Sequence, residues 1–102
     1  MASQILLYNL LANVTDDEYK DYVTREKGPL IDSFESVKKF ELFKITGSET
    51  GEFPYKYIGI MHLASLDDFY QKDAPSQKFQ DFLAKMKAKA SDPHILHVEE
   101  IY

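Results

Sequence analysis

Residues 53–63 read Phe53-Pro54-Tyr55-Lys56-Tyr57-Ile58-Gly59-Ile60-Met61-His62-Leu63 and form the longest strand-like run of the chain. Aromatic and β-branched residues favour a β-strand, and the glycines and the proline around residues 47–54 mark a turn ahead of it. Strand side chains alternate between two faces, and here both alternating sets are mostly apolar. A strand of this kind is buried on both sides. We therefore expect a sheet covered by helices on one face and by a second copy of the protein on the other.

The composition limits the classes of function that the protein can have. The chain has 102 residues, a formal net charge of -5 and no cysteine. This length fits a single domain over residues 1–102. The negative charge argues against a nucleic-acid partner, and the lack of cysteine excludes disulfides and thiolate metal sites. No stretch resembles a signal peptide or a membrane span, so we expect a cytoplasmic protein with no membrane partner.

Apolar periodicity predicts the element order β-α-β-β-α-β. Helical regions separate the first strand from the second and the third from the fourth, and the predicted strands cover residues 3–11, 37–46, 53–63 and 94–102. Thr15-Asp16-Asp17-Glu18 forms a capping box for the first helix. We expect Gly28-Pro29 to stop or kink that helix and Asp92-Pro93 to end the last one. The order is typical of an α+β, ferredoxin-like fold, in which helices cover one face of an antiparallel sheet.

Four stretches, in this order and spacing, carry a resemblance to a known group. They are the first strand, which is apolar on both faces, the capped helix ending in Gly28-Pro29-Leu30, the hairpin closing in Pro54-Tyr55-Lys56-Tyr57, and Leu66-Asp67-Asp68-Phe69 followed by Asp73-Ala74-Pro75-Ser76. Together they resemble the RedY-like (HapK-type) proteins of the dimeric α+β barrel superfamily, over residues 5–102. The resemblance implies a homodimer whose two sheets close into a barrel, with one pocket per subunit between sheet and helices. It also implies a role in secondary-metabolite pathways, prodiginine-type pigments among them, where relatives look like small cyclases or aids to condensation.

The candidate substrate-binding residues are mostly tyrosines of this pocket. Tyr8 and Tyr57 are expected on the helix-covered face of the sheet, with Tyr70 at the rim. Gly59 would leave room for a ligand above the middle of its strand. An apolar cavity with two or three phenols can orient or polarise a carbonyl of a small apolar or aromatic ligand. The alternative is that these are core tyrosines whose hydroxyls reach the solvent edge.

Asp73 and His62 are the candidate catalytic bases. In relatives similar to plant-type polyketide cyclases, a His two residues after a proline is the base, but Gln77 stands there in this chain and is assigned to substrate binding instead. A desolvated Asp73 would have the raised pKa that a base requires, although it could simply cap the following helix. His62 is expected on the face turned toward the partner subunit, where it is either a base or an interface residue. The histidines lack a metal-ligand spacing, so we expect no metal.

These observations favour a small-molecule pocket protein that uses no cofactor. The leading hypothesis is a cofactor-independent cyclase or lyase, in which proton transfer assists cyclisation or condensation of a polyketide-like or prodiginine-type molecule. The first alternative is a non-catalytic carrier of an apolar aromatic intermediate. The second is a cofactor-free monooxygenase, which needs a substrate that can itself activate oxygen. Enzyme and carrier differ in one respect, because only the enzyme requires a titratable group with a shifted pKa in its pocket.

Overall fold

Four antiparallel strands form one sheet in the computed structural model, which describes residues 2–102 apart from the side chain of Asp92. The strands are β1 (Ala2–Leu10), β2 (Val37–Lys44), β3 (Tyr57–Leu63) and β4 (Ala90–Glu99). Their spatial order is β2-β3-β1-β4, and every neighbouring pair is antiparallel. The α+β, ferredoxin-like arrangement expected from the sequence is thereby confirmed.

Two helical regions connect the strands, and each contains a π-helical turn. The first consists of α1 (Asp16–Tyr22), a π-helical turn (Val23–Lys27) and α2 (Gly28–Asp32). The second consists of α3 (Leu66–Asp68), a π-helical turn (Phe69–Asp73) and α4 (Gln77–Lys87). Among residues 2–102, no helix is both long enough and apolar enough to cross a membrane.

The side chains of β3 alternate as the sequence predicts. Tyr57, Met61 and Leu63 are buried beneath the helices, whereas Ile58 and Ile60 are half-buried on the opposite face. We call that opposite side the open face of the sheet. The helix-covered face holds two apolar clusters, one built around Phe69 and Phe79 and one built around Tyr8, Tyr19 and Tyr57.

The helix continues through Gly28-Pro29 but is distorted there, so of the two expected outcomes, a stop or a kink, only the stop is wrong. The helix widens into the π-helical turn, in which the Gly28 N–H donates to the carbonyl of Val23. The widening has a steric cause, since a proline ring clashes with the carbonyl four residues earlier in a regular α-helix. A Cβ atom at residue 28 would lie 3.0 Å from the Val23 oxygen, so glycine suits this close approach.

The largest boundary errors are at the starts of β4 and β3, and β4 also ends at Glu99 instead of Tyr102. The last helix ends at Lys87, and β4 runs on through Pro93. A proline is tolerated there because β4 is an edge strand that pairs with β1 alone. At the other boundary, β3 begins at Tyr57 instead of Phe53. Ahead of Tyr57, the Asn9 side chain bonds to the backbone where strand-to-strand hydrogen bonds would otherwise stand. It donates to the Pro54 carbonyl at 2.8 Å and accepts from the Lys56 N–H at 2.9 Å.

Candidate functional site

Three tyrosines pack together between the sheet and the first helical region, and we call them the tyrosine cluster (Tyr8, Tyr19 and Tyr57). The rings of Tyr8 and Tyr57 are stacked with their centroids 5.7 Å apart. Tyr19 meets both rings edge-on, at 6.1 Å from Tyr8 and 5.2 Å from Tyr57. The structure therefore brings together two of the tyrosines expected from the sequence and adds Tyr19, which the sequence did not single out.

Lys27 reaches into this cluster from the end of the first π-helical turn. The residue is only 4% exposed. Its Nζ atom donates to the Tyr19 hydroxyl at 2.8 Å and to the Tyr8 hydroxyl at 3.1 Å. These two hydroxyls also bond to each other, with their oxygens 2.5 Å apart. We call this group the phenol–lysine centre (Lys27, Tyr8 and Tyr19).

The surroundings of Lys27 are unusual for an ammonium group. Its amine lies 5.0–5.8 Å from the centres of four aromatic rings, those of Tyr8, Tyr19, Phe40 and Phe82. No carboxylate among the described side chains pairs with it. Burial without an opposite charge disfavours the charged form and lowers the pKa of Lys27 to about 7. At neutral pH a large share of this amine is therefore uncharged.

The pKa values of the two phenols in the centre shift in the opposite direction to that of Lys27. Burial raises the pKa values of Tyr8 and Tyr19 well above the usual value for tyrosine, so both hydroxyls keep their protons at neutral pH. A protonated phenol can donate a hydrogen bond to a carbonyl oxygen or to an oxyanion. The centre thus combines an amine that can accept a proton with phenols that can donate one.

The sequence itself contains a signal for Lys27. Tyr19, Val23, Lys27 and Ile31 follow one another at intervals of four residues. Residues at this spacing share one helix face, so a lysine interrupts an otherwise apolar stripe. A charged residue in such a stripe is rarely buried unless it is paired.

Tyr57 connects the cluster to the protein surface. Its hydroxyl donates to the carboxylate of Asp16, which also accepts from the Lys44 amine at 2.8 Å. The bonds from Lys44 and, after it, from Tyr57 lower the pKa of Asp16. Burial, together with the bond to Asp16, raises the pKa of Tyr57. Tyr57 is therefore held as a neutral phenol at neutral pH.

The space above Gly59 is occupied by neighbouring side chains. A Cβ atom built at this glycine would lie 3.5 Å from Leu42 and 3.8 Å from Phe40. Both neighbours belong to β2 and pack on the helix-covered face. A ligand above Gly59 would have to displace them.

Asp73 lies apart from the tyrosine cluster. Its carboxylate accepts hydrogen bonds from the hydroxyl of Ser36 and, at 2.9 Å, from the Ser36 N–H. It does not cap α4, because that role belongs to Ser76, whose hydroxyl accepts from the Phe79 N–H at 3.2 Å. The structure thus places Asp73 in a contact between the second helical region and the segment ahead of β2.

His62 lies on the open face, as its strand parity predicts. Its Nε2 atom is 2.7 Å from a carboxylate oxygen of Glu41, and its Nδ1 atom is 3.4 Å from the Ser3 hydroxyl. The bond to His62 lowers the pKa of Glu41. The sheet separates His62 from the phenol–lysine centre, so the two cannot act on one substrate within a single subunit.

Tyr70 and Gln77 also lie apart from the tyrosine cluster. The Tyr70 hydroxyl accepts from the Gln4 amide at 2.9 Å and is 3.1 Å from Nε2 of His97. Gln4 precedes Tyr8 by four residues on β1, which is about 13 Å along the strand. Gln77 is exposed and bonds to Asp81 on its own helix at 2.8 Å. Among the described side chains, no three histidines or carboxylates lie close enough together to hold a metal ion.

Two surface grooves flank these groups. One of about 430 Å³ is lined by Tyr22, Arg25 and Lys89 together with neighbouring residues of α1. Tyr22 connects it to the tyrosine cluster, because the ring centroids of Tyr22 and Tyr19 are 6.1 Å apart. The other groove, of about 490 Å³, lies beside His97 at the N-terminal end of β1.

Comparison with solved structures shows the same fold in proteins of low sequence identity. HapK from Hahella chejuensis superposes with a TM-score of 0.82 at 18% identity, over 99% of this chain and 93% of that chain. A hydroxynitrile lyase from Passiflora edulis gives a TM-score of 0.81 at 11% identity, over 99% of this chain and 95% of that chain. A dimeric ferredoxin-like protein from Thermobifida fusca gives 0.72 at 18% identity, over 95% and 88% of the two chains.

Comparison with sequences identifies the family. No curated protein matches the chain at a significant level. The family model described as REDY-like protein HapK, however, matches residues 2–101. This match covers nearly the whole chain and agrees with the resemblance seen in the four sequence stretches. The protein therefore belongs to the REDY-like HapK family.

Proposed function

We propose that this protein binds a small apolar or aromatic carbonyl compound and assists proton transfer during its cyclisation or condensation, without a cofactor. One observation carries the proposal: the buried amine of Lys27, which donates to the hydroxyls of Tyr8 and Tyr19 and has no carboxylate partner among the described side chains. A cytoplasmic location of the protein and a role in secondary-metabolite biosynthesis stay predictions from the sequence.

The phenol–lysine centre supplies both halves of a proton transfer. The uncharged Lys27 amine can remove a proton from the carbon next to a carbonyl group. The Tyr8 hydroxyl, which stays protonated, can donate to the carbonyl oxygen as negative charge develops there. Both groups lie in a dry, aromatic setting where such interactions are stronger than in water. In this proposal Lys27 takes the role of base that the sequence suggested for Asp73 or His62.

A homodimer is the second part of the proposal. The open face of the sheet carries a row of apolar side chains from all four strands: Ile5, Leu7, Phe43, Ile58, Ile60, Leu96 and Val98. Three of them, Phe43, Leu96 and Val98, are more than a third exposed in the single chain. A contiguous apolar surface of this kind is typical of an interface. The dimeric description of the Thermobifida fusca protein supports the same assembly.

The carrier alternative is favoured by the closure of the tyrosine cluster. Tyr8 and Tyr19 are each only 1% exposed, so a reacting molecule reaches them only if the surrounding side chains move. A carrier would hold a ligand in an adjacent groove and leave its protons in place. Proton exchange on a bound carbonyl compound therefore distinguishes the two functions.

The test uses acetophenone, an apolar aromatic ketone, in deuterated buffer. We expect the wild-type protein to speed deuterium incorporation into the methyl group, followed by NMR, and Lys27→Met to lower that rate about tenfold or more. The matched control is Lys78→Met, since the Lys78 amine also lies over an aromatic ring, 4.9 Å from the centre of Phe34, but on the surface. If acetophenone binds but exchanges no protons, the enzyme hypothesis is contradicted and the carrier hypothesis is supported.

A further inference from the structure

We propose that Lys27 is a covalent catalyst, whose amine forms an imine with the carbonyl group of the bound molecule. This inference rests on the proposed function and goes one step beyond it. A base only removes a proton from its substrate, whereas an imine-forming lysine becomes bonded to it. The class of ligand is then narrowed to aldehydes and ketones.

The placement of Lys27 suits a nucleophile. Its Nζ atom lies at the end of a side chain that is almost entirely buried, and the polar groups bonded to it are phenols rather than carboxylates. A carboxylate would hold the amine in its charged form, in which the nitrogen has no lone pair to donate. Desolvation in an aromatic setting is one of the recognised ways in which a lysine is activated as a nucleophile.

The phenols supply the proton movements that imine formation needs. The nitrogen lone pair attacks the carbonyl carbon, so a C–N bond forms as the π bond of the C=O group breaks. A proton then passes from nitrogen, through the Tyr19 or Tyr8 hydroxyl, to the resulting alkoxide oxygen, which becomes a hydroxyl. The C–O bond then breaks, and the hydroxyl leaves as water with a proton donated by a phenol. The phenolate recovers a proton from nitrogen, giving the imine, or from the neighbouring carbon of the iminium, giving an enamine. Amine and carbonyl thus yield imine and water, and no oxidant or reductant is required.

The covalent step explains why a condensation protein would bury a lysine. A protonated imine withdraws electrons from its neighbouring carbon far more strongly than a carbonyl does. The enamine formed by loss of a proton from that carbon is a nucleophile that can form a new C–C bond. Lys27 would therefore activate the ligand by itself, with no bound metal or cofactor.

We expect a carbonyl compound to approach the phenol–lysine centre past Met86. Its side chain is half-buried, packs against both apolar clusters, and lies with its sulfur 4.0 Å from the Tyr19 hydroxyl. Methionine side chains are flexible and fill gaps that other residues leave. Movement of Met86 would expose the phenol–lysine centre, and the rings of Phe40 and Phe82 would then line the opening.

The test is reductive trapping with benzaldehyde and sodium cyanoborohydride at about pH 7, followed by intact mass measurement and peptide mapping. We expect one benzyl group per chain. The amount of label on Lys27 should exceed that on the exposed Lys78 by about tenfold or more. The label should disappear in Lys27→Met and in Lys27→Arg, which keeps donors but forms no imine. It should persist in Lys78→Met and form faster in Met86→Ala.

Benzaldehyde has no hydrogen on the carbon next to its carbonyl, so trapping and proton exchange report on different steps. If Lys27 is labelled no faster than Lys78, covalent catalysis is excluded. Deuterium exchange on acetophenone that still depends on Lys27 would then leave the proposed function standing, with the amine as a simple base. If Lys27 neither traps benzaldehyde nor supports exchange, both proposals fail.

Discussion

At the scale of single residues, Lys27 makes the stability of the protein depend on pH, because its pKa differs between the folded and unfolded chain. The pKa falls from its usual value near 10.5 to about 7 on folding. Between these values the unfolded state holds a proton that the folded state lacks, so the free energy of unfolding rises with pH. Below pH 7 both states are protonated, and the full cost, about 5 kcal/mol, opposes folding. The groups that face the amine are Tyr8 from β1, Tyr19 from α1, Phe40 from β2 and Phe82 from α4.

Lys27→Met removes this dependence. We expect the variant to be more stable than the wild type at about pH 6, and the difference in unfolding free energy to shrink steadily as the pH rises toward 10. Urea unfolding at a series of pH values measures that difference. Lys78→Met is the control, and its difference from wild type should stay constant across the range. A constant difference for Lys27→Met would mean that the amine stays charged in the folded protein.

At the scale of structural elements, Asp73 ties the second helical region to the segment ahead of β2. We expect Asp73→Ala to lower the unfolding free energy by about 1–3 kcal/mol, because it leaves the buried N–H and hydroxyl of Ser36 without their acceptor. The control is Asp81→Ala, which removes an exposed bond to Gln77 and should change stability little. The rate of deuterium exchange into acetophenone, per folded molecule, should be the same as wild type in both variants. Loss of exchange in Asp73→Ala at full stability would restore Asp73 as the base.

For the whole molecule, the open face of the sheet predicts a homodimer. We expect the wild-type chain to run as a dimer in light scattering at low micromolar concentration, and Leu96→Glu to run as a monomer, because burying the new carboxylate without a partner is costly. Leu96 is 46% exposed on the open face, whereas the control residue Leu83 is 37% exposed on α4. Leu83→Glu should remain dimeric. A monomeric wild type, or equal behaviour of the two variants, would contradict the assembly.

Local sequence signals determined the architecture of this protein. Thr15 and Ser65 each stand three residues before an acidic residue, and in the structure both hydroxyls accept from the N–H at that position. The alternation of β3 assigned its side chains to the two faces of the sheet correctly. These signals act between residues that are close in the chain, or through a fixed repeat of two or about four residues, so they can be read without the fold.

Contacts between distant segments were decided by the tertiary structure alone. Whether Lys27 is a surface lysine or a buried one depends on how Tyr8 and Phe82, far away in the chain, close around it. Asp73 likewise finds Ser36 across 37 residues. No periodicity encodes such meetings, because they depend on how the helices lie on the sheet and on which groups burial removes from water. The sequence by itself determined the elements, their order and their faces, whereas packing decided which side chains became chemically unusual.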